Sequence, residues 1–216
     1  MTIEVLLNTP SRHDFQQKLS NFLVDGPGRI FLVTGNFSRY GSNAAPDLLS
    51  LLQWAAARPQ RKLDVLVGIF SDGEAFQTQR VVADLSKQIL DAQVLFKRSN
   101  PSATMDIPVH FYGVNQWHAK AIGLTGLGAE FTKAEKIMFG STNFSQSAMY
   151  GKNYEADVYA DISSTPGETL VYEYVYHLRD LISDGIKTQG IADFHQQVLT
   201  ALGGAVNITQ DGFAFI

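Results

Sequence analysis

Two apolar stretches decide the predicted fold: residues 29–34 read Arg-Ile-Phe-Leu-Val-Thr, and residues 63–70 read Leu-Asp-Val-Leu-Val-Gly-Ile-Phe. Short, nearly continuous apolar runs are typical of strands that are buried on both faces of a sheet. Leucines recur at helical spacing over residues 47–57 between them, and the helical period returns over residues 76–90. A third short run at residues 94–96 predicts another strand. This βαβαβ alternation favours a parallel sheet, because parallel neighbours are connected by helical crossovers.

The pattern changes in the second half of the chain, where three strand-like runs and three further helices are predicted. The strand-like runs cover residues 117–124, 136–141 and 153–162, and the helices cover residues 145–150, about 165–185 and 190–202. No linker rich in proline, glycine or serine divides the chain. The predicted fold is therefore a single domain over residues 1–216, of the α/β class, with a mixed, mostly parallel sheet flanked by helices.

The composition limits the class of protein. The chain has 216 residues, of which 45% are hydrophobic and 18% are charged, an ordinary balance for a globular protein. It contains no cysteine, which excludes disulfides, thiolate metal sites and cysteine nucleophiles. Residues 1–14 are too polar for a signal peptide, and no stretch reaches the roughly 18 apolar residues of a transmembrane helix. We therefore expect a soluble, cytoplasmic protein that does not associate with membranes.

The net charge bears on possible partners. The formal net charge is −4, whereas proteins that bind nucleic acid mainly by bulk charge are usually basic. Binding of nucleic acid would therefore require a local cationic patch. The candidates for such a patch are Arg58, Arg61 and Lys62, or Lys97 and Arg98.

Three segments in the second half of the chain each carry two polar residues at a spacing of two. Side chains alternate along a strand, so each pair is predicted to share one face while its apolar neighbours pack on the other. The pairs are His118 and Lys120, Ser141 and Asn143, and Asn153 and Glu155. Each pair alone has a simpler explanation, as half-exposed strand residues, as a turn and helix cap, or as a solvated strand face. Their occurrence together, in this order, is far more specific.

These side chains suit phosphoryl transfer. A neutral imidazole such as that of His118 can attack phosphorus and form a phosphohistidine, which divides one difficult displacement into two easier ones. A carboxylate such as that of Glu155 on the far ring nitrogen fixes the tautomer. Lysine and asparagine side chains stabilise charge on the non-bridging phosphate oxygens. No carboxylate cluster or histidine pair at metal-ligand spacing accompanies them, so we expect neither a metal nor another cofactor.

The three segments resemble the motif of the phospholipase D superfamily. The resemblance covers residues 117–162 and is carried by His118-x-Lys120, by Gly-Ser-x-Asn-Phe-Ser at residues 140–145, and by Asn153-x-Glu155. It is strongest to the single-motif nuclease branch, which includes Nuc-type endonucleases and the catalytic domains of BfiI-like and NgoFVII-like restriction endonucleases. The resemblance implies a phospholipase D-like fold and metal-independent cleavage of phosphodiesters.

The resemblance also implies a role for each residue. His118 would be the nucleophile, or the general acid in the other copy of the chain, and Glu155 would orient it. Lys120, Ser141 and Asn143 would bind the substrate phosphate. Since family enzymes bring two such motifs together around one phosphate, a chain with a single motif implies a homodimer with the site at the interface.

Two positions fit the resemblance less well. Asn153 is a weaker, supporting candidate. The family motif has an aspartate seven residues after the histidine, where this chain has Thr125. In the family that aspartate is mainly structural, so the substitution bears on the subfamily more than on the chemistry.

The sequence leaves three functions open. The favoured one is a nuclease that acts on nucleic acid, most specifically an endonuclease acting on DNA. The second is a lipid or small-molecule phosphodiesterase or phosphatidyltransferase of the same superfamily. The third is a non-catalytic interaction subunit that keeps the fold and docks to a helicase or restriction complex, which the threonine at position 125 slightly favours.

Overall fold

The computed structural model describes most of the chain up to residue 161 and part of the remainder. The described residues are 2–23, 28–35, 46–58, 60–69, 74–99, 101, 106–107, 109–115, 117–125, 135–144, 146–149, 153–161, 177, 180, 192–204 and 207–208. The helix predicted at about 165–185 therefore lies outside the described residues, apart from His177 and Asp180.

Ten strands and five helices are numbered here within these residues. The strands are β1 (Thr2–Thr9), β2 (Arg12–His13), β3 (Gly28–Thr34), β4 (Arg61–Ile69), β5 (Asp106–Ile107), β6 (Val109–Asn115), β7 (Ala121–Thr125), β8 (Lys136–Gly140), β9 (Glu155–Asp161) and β10 (Asn207–Ile208). The helices are α1 (Asp14–Phe22), α2 (Pro46–Ala56), α3 (Glu74–Ser99), α4 (Gln146–Met149) and α5 (Ala192–Leu202).

The strands form one large sheet and one small one. The eight-stranded sheet has the order β2-β1-β9-β8-β7-β3-β4-β6, and β10 pairs with β5. Within the large sheet, β3–β4 and β4–β6 are parallel, and the other described pairs are antiparallel. The α/β class and the mixed sheet are thus confirmed, whereas the prediction of a mostly parallel sheet is wrong. Apolar runs report burial but not strand direction, and β7, β8 and β9 are consecutive strands that pair antiparallel, a direction that requires no helical crossover.

One predicted strand belongs to a helix. Residues 94–96 lie inside α3, which continues without a break to Ser99. Lys97 and Arg98 occupy its last turn, where positive charge interacts favourably with the helix dipole. The β-forming composition of the run is outweighed by its position in a long amphipathic helix.

One face of the large sheet carries the main core. Phe15, Leu19 and Phe22 of α1 are buried against it, together with apolar residues of α2, α3 and α5. At the margin of this core, the Arg61 guanidinium lies 4.7 Å from the Trp54 ring centroid and donates to the Trp54 carbonyl at 3.0 Å. Arg61 is only 4% exposed, so this candidate is not available to a surface cationic patch.

The face of the large sheet opposite the main core contains Thr125, the residue at the position of the motif aspartate. This threonine is buried on β7 directly across from Arg29 on β3. The Arg29 Nε atom lies 2.6 Å from Oδ2 of Asp64, a carboxylate that is fully buried on β4. Arg29 is therefore paired with a carboxylate on β4, the strand on its other side.

Candidate functional site

The predicted site residues lie at one edge of the large sheet. β7 begins just after Lys120, β8 ends just before Ser141, and β9 begins at Glu155. Because β8 is antiparallel to both β7 and β9, these three strand ends meet at the same edge. The C-terminal end of β3 joins them there, since Val33 pairs with Ala121.

The structural reason for this convergence differs from the one predicted. Residues 117–120 and 141–143 are not strands, so the alternation of side chains along a strand does not apply to them. The segments converge because each is a connection that enters or leaves a strand at the same edge. Backbone hydrogen bonds hold them in place: Gly140 donates to the Lys120 carbonyl at 3.4 Å and Ser141 donates to the Ala156 carbonyl at 3.2 Å.

His118 and Lys120 are in direct contact. The Lys120 Nζ atom lies 2.7 Å from Nδ1 of His118 and donates to the His118 carbonyl at 2.5 Å. The imidazole is exposed, whereas Lys120 is only 7% exposed. An exposed imidazole thus sits beside an ammonium group that is largely shielded from water.

Two glycines let the His118 segment cross the ends of β3 and β4. A Cβ atom at Gly35 would lie 3.0 Å from the His118 Cα atom and 3.1 Å from its carbonyl oxygen. A Cβ atom at Gly68 would collide with the backbone oxygens of Trp117 and Gly35. The position of His118 therefore depends on close backbone approach at both strand ends.

Burial tunes the charge at the centre of the site. Desolvation lowers the pKa of Lys120 below the ordinary lysine value, and the negative charge of Glu155 partly opposes this shift. Glu155 is half-buried and accepts a hydrogen bond at Oε1 from Nδ2 of Asn153 at 3.2 Å. The carboxylate predicted to orient His118 is thus electrostatically coupled to Lys120, and Asn153 supports it.

Ser141 and Asn143 have different environments. The Ser141 hydroxyl accepts from the Ala156 N–H at 3.0 Å and lies 3.4 Å from the Ala156 carbonyl oxygen. These contacts attach the segment after β8 to β9. Asn143 is half-buried, and its Oδ1 accepts from the Thr34 hydroxyl at 3.4 Å. The role of both residues in binding phosphate stays a prediction.

Three residues that hold the candidate site residues in place were not predicted from the sequence: Asp157, Thr142 and Thr34. Asp157 is buried beneath the segment after β8, where it accepts hydrogen bonds from Thr142. Burial raises its pKa, the bonds from Thr142 oppose the rise, and the charge of Glu155 adds to it. The available signal was the spacing, because Asp157 shares a strand face with Glu155.

Among the described residues, no group of three or more histidine, cysteine, aspartate or glutamate side chains is arranged to hold a metal ion. Within the same part of the chain, no helix has the length and apolar character needed to cross a bilayer.

No protein-family model matches the sequence, and no curated protein matches it. Solved structures do match. Phosphatidylserine synthase from Haemophilus influenzae aligns over 93% of this chain and 44% of its own, with a TM-score of 0.52 at 9% identity. The phospholipase D family member Nuc from Salmonella typhimurium aligns over 85% of this chain and 95% of its own, with a TM-score of 0.47 at 12% identity. NucT from Helicobacter pylori aligns over 87% of this chain and 98% of its own, with a TM-score of 0.48 at 12% identity.

Identity to all three structures is low, between 9% and 12%. What this chain shares with the synthase is the fold.

Proposed function

We propose that this chain is a metal-independent phosphodiesterase that cleaves nucleic acid, with DNA as its substrate, through a phosphohistidine at His118. The observation that carries the proposal is the contact between the exposed His118 imidazole and the shielded Lys120 ammonium. Asn143 and Glu155 lie at the same edge of the sheet. A nucleophile, a cation and a carboxylate in this arrangement are the groups that phosphoryl transfer requires.

The reaction would proceed in two displacements. In the first, a ring nitrogen of His118 forms a bond to phosphorus while the bond to the leaving oxygen breaks and that oxygen accepts a proton. Lys120 and Asn143, with Ser141, stabilise the charge on the non-bridging oxygens. In the second, water attacks phosphorus while it gives a proton to the group that protonated the leaving oxygen, and the P–N bond breaks, which releases His118. Glu155 stabilises the imidazolium form that each cycle requires.

The proton donor for the leaving oxygen would be His118 of a second copy of the chain. A chain with one motif supplies one imidazole, and two-fold symmetry would place a second imidazole across the same phosphate. The active species would then be a homodimer. Sedimentation of a sample that cleaves substrate is expected to give twice the mass of one chain, and a cleaving monomer would contradict this part of the proposal.

One observation favours a lipid substrate as a second candidate. Tyr154, beside Glu155, is 81% exposed. Ile3, Val5 and Leu7 of β1 are 53%, 65% and 37% exposed, and Leu7 pairs directly with Ala156 of β9. An exposed apolar band near a phosphate site is a surface that acyl chains would contact.

A parallel assay separates these candidates. Purified protein is incubated with excess EDTA and either supercoiled plasmid or phospholipid vesicles, with His118→Ala as the matched control. We expect nicking of plasmid by the wild-type chain only, at an undiminished rate in EDTA, because the reacting groups are side chains. Headgroup release without nicking would favour the lipid substrate, and activity restored only by added divalent metal would contradict the mechanism.

A further inference from the structure

A single buried carboxylate holds the segment between β8 and α4. Asp157 lies on β9 and is only 2% exposed. Its Oδ1 accepts a hydrogen bond from the backbone N–H of Thr142 at 3.1 Å, and its Oδ2 accepts one from the Thr142 hydroxyl. Both the backbone and the side chain of the residue between Ser141 and Asn143 are therefore tied to Asp157.

The same segment is held from the other side by β3. The buried Thr34 hydroxyl accepts from the Phe144 N–H at 3.0 Å and contacts Oδ1 of Asn143 at 3.4 Å. This contact fixes which end of the Asn143 amide faces β3. With Thr142 held by Asp157 and Phe144 held by Thr34, the residue between them has little freedom to turn.

Asp157 is packed closely against Gly140, the last residue of β8. A Cβ atom at Gly140 would lie 2.5 Å from Oδ1 of Asp157 and 2.6 Å from its Cα atom, so only glycine leaves room for Asp157. Lys120, Thr142 and Asp157 also line one small internal cavity. The carboxylate that holds the segment, Asp157, and the lysine of the candidate site, Lys120, therefore lie beside the same cavity.

The free-energy cost of burying a carboxylate indicates why an aspartate occupies position 157. A carboxylate without water is unfavourable unless hydrogen bonds satisfy its oxygens. An apolar residue of similar size would fill the same space without this cost, but it would accept no hydrogen bond from Thr142. The property specific to a carboxylate here is the pair of bonds to Thr142.

We propose that Asp157 is a positioning residue for the phosphodiesterase reaction: it holds Thr142 so that Asn143 and Lys120 face the same phosphate. This inference rests on the proposed function. It assigns no contact between Asp157 and substrate, because the carboxylate lies beneath the segment and acts through Thr142.

Four variants test it by kcat and KM for plasmid nicking, with melting temperature measured in parallel. Asp157→Asn keeps the shape but replaces one accepting oxygen with a donor, and Thr142→Val keeps the shape but removes the hydroxyl. We expect each to lower kcat by about tenfold or more, with a smaller change in KM, because misplacement affects transition-state stabilisation most. Thr142→Ser, which retains the hydroxyl, should stay within about twofold of wild type. Asp161→Asn, on the same strand and face, is the matched control and should leave kcat unchanged.

The double variant Asp157→Asn/Thr142→Val distinguishes positioning from general damage. Because Thr142→Val removes one of the two bonds that Asp157 accepts from Thr142, its effect should be contained in that of Asp157→Asn, and the kcat of the double variant should be no lower than that of Asp157→Asn. Wild-type kcat in Asp157→Asn, multiplicative losses in the double variant, or an equal loss in Asp161→Asn would overturn the inference while His118-dependent cleavage persists. If Asp157→Asn fails to fold, wild-type kcat in Thr142→Val overturns it in the same way. Absence of His118-dependent cleavage by the wild-type chain would overturn the proposed function, and this inference with it.

Discussion

Replacement of His118 by alanine is expected to reduce phosphodiester cleavage to the background of the assay. In the proposed mechanism the imidazole forms the bond to phosphorus, so its loss removes the covalent route entirely. Its side chain is exposed, so truncation creates no cavity in the core. We therefore expect the melting temperature to stay close to that of the wild-type chain, which separates lost chemistry from lost structure.

Two further variants sharpen this expectation. Glu155→Gln keeps the shape of the side chain but removes the charge that stabilises imidazolium, so cleavage should fall severely without vanishing. Thr125→Ala should have a mild effect on cleavage, since position 125 already lacks a carboxylate. Cleavage by His118→Ala at the wild-type rate and with an unchanged melting temperature would contradict the role given to every other site residue.

Replacement of Lys120 by methionine is expected to lower kcat by about 10²–10³-fold, because it removes positive charge where transition-state charge develops. Whereas kcat should fall, the stability of the folded state should not. A lysine whose pKa is lowered on folding penalises the folded state at neutral pH, where the group is charged in the unfolded chain. An uncharged side chain of similar length avoids this penalty, so the melting temperature of Lys120→Met should be at or above that of wild type.

The pH profile of the wild-type enzyme provides a second measure of Lys120. If its ammonium form is required, kcat/KM declines as pH rises through the pKa of Lys120. Because burial lowers that pKa, the decline should begin at a lower pH than for an ordinary lysine. Lys136→Met is the matched control, since Lys136 lies on β8 near Asp161, at 3.9 Å, and away from the site edge. Equal losses of activity in the two methionine variants would contradict this role for Lys120.

Strands and helices were best predicted from the sequence where a strand is buried on both faces or where buried residues recur at a strict period. β3 and β4 were predicted because both faces of each strand are buried, which leaves a nearly continuous apolar run. β1 was not predicted, although it pairs with β9 along its whole length. Its outward-facing residues, Ile3, Val5 and Leu7, are apolar although they are exposed. The sequence of β1 therefore shows neither a continuous buried run nor an alternation of apolar and polar residues.

The sequence indicates which side chains could form the candidate site, but it does not indicate which residues hold them in place. Residue type and spacing identified His118, Lys120 and Glu155 as a chemically coherent set. The burial of Asp157 depends on how the segment after β8 folds over β9, which is a tertiary feature that a lone aspartate in a strand does not reveal. The contacts made by Gly35 and Gly68 likewise involve residues distant in sequence, so no local pattern predicts them.

Trapping the covalent intermediate tests whether His118 is the nucleophile. The protein is mixed with an oligonucleotide that carries radioactive phosphate at the scissile position, quenched in alkaline denaturant, and digested for peptide mapping. We expect a labelled peptide containing His118, with an acid-labile and alkali-stable bond, in the wild-type chain and none in His118→Ala. Cleavage by the wild-type chain with the label on another residue, or with no labelled protein at any quench time, would contradict this role of His118.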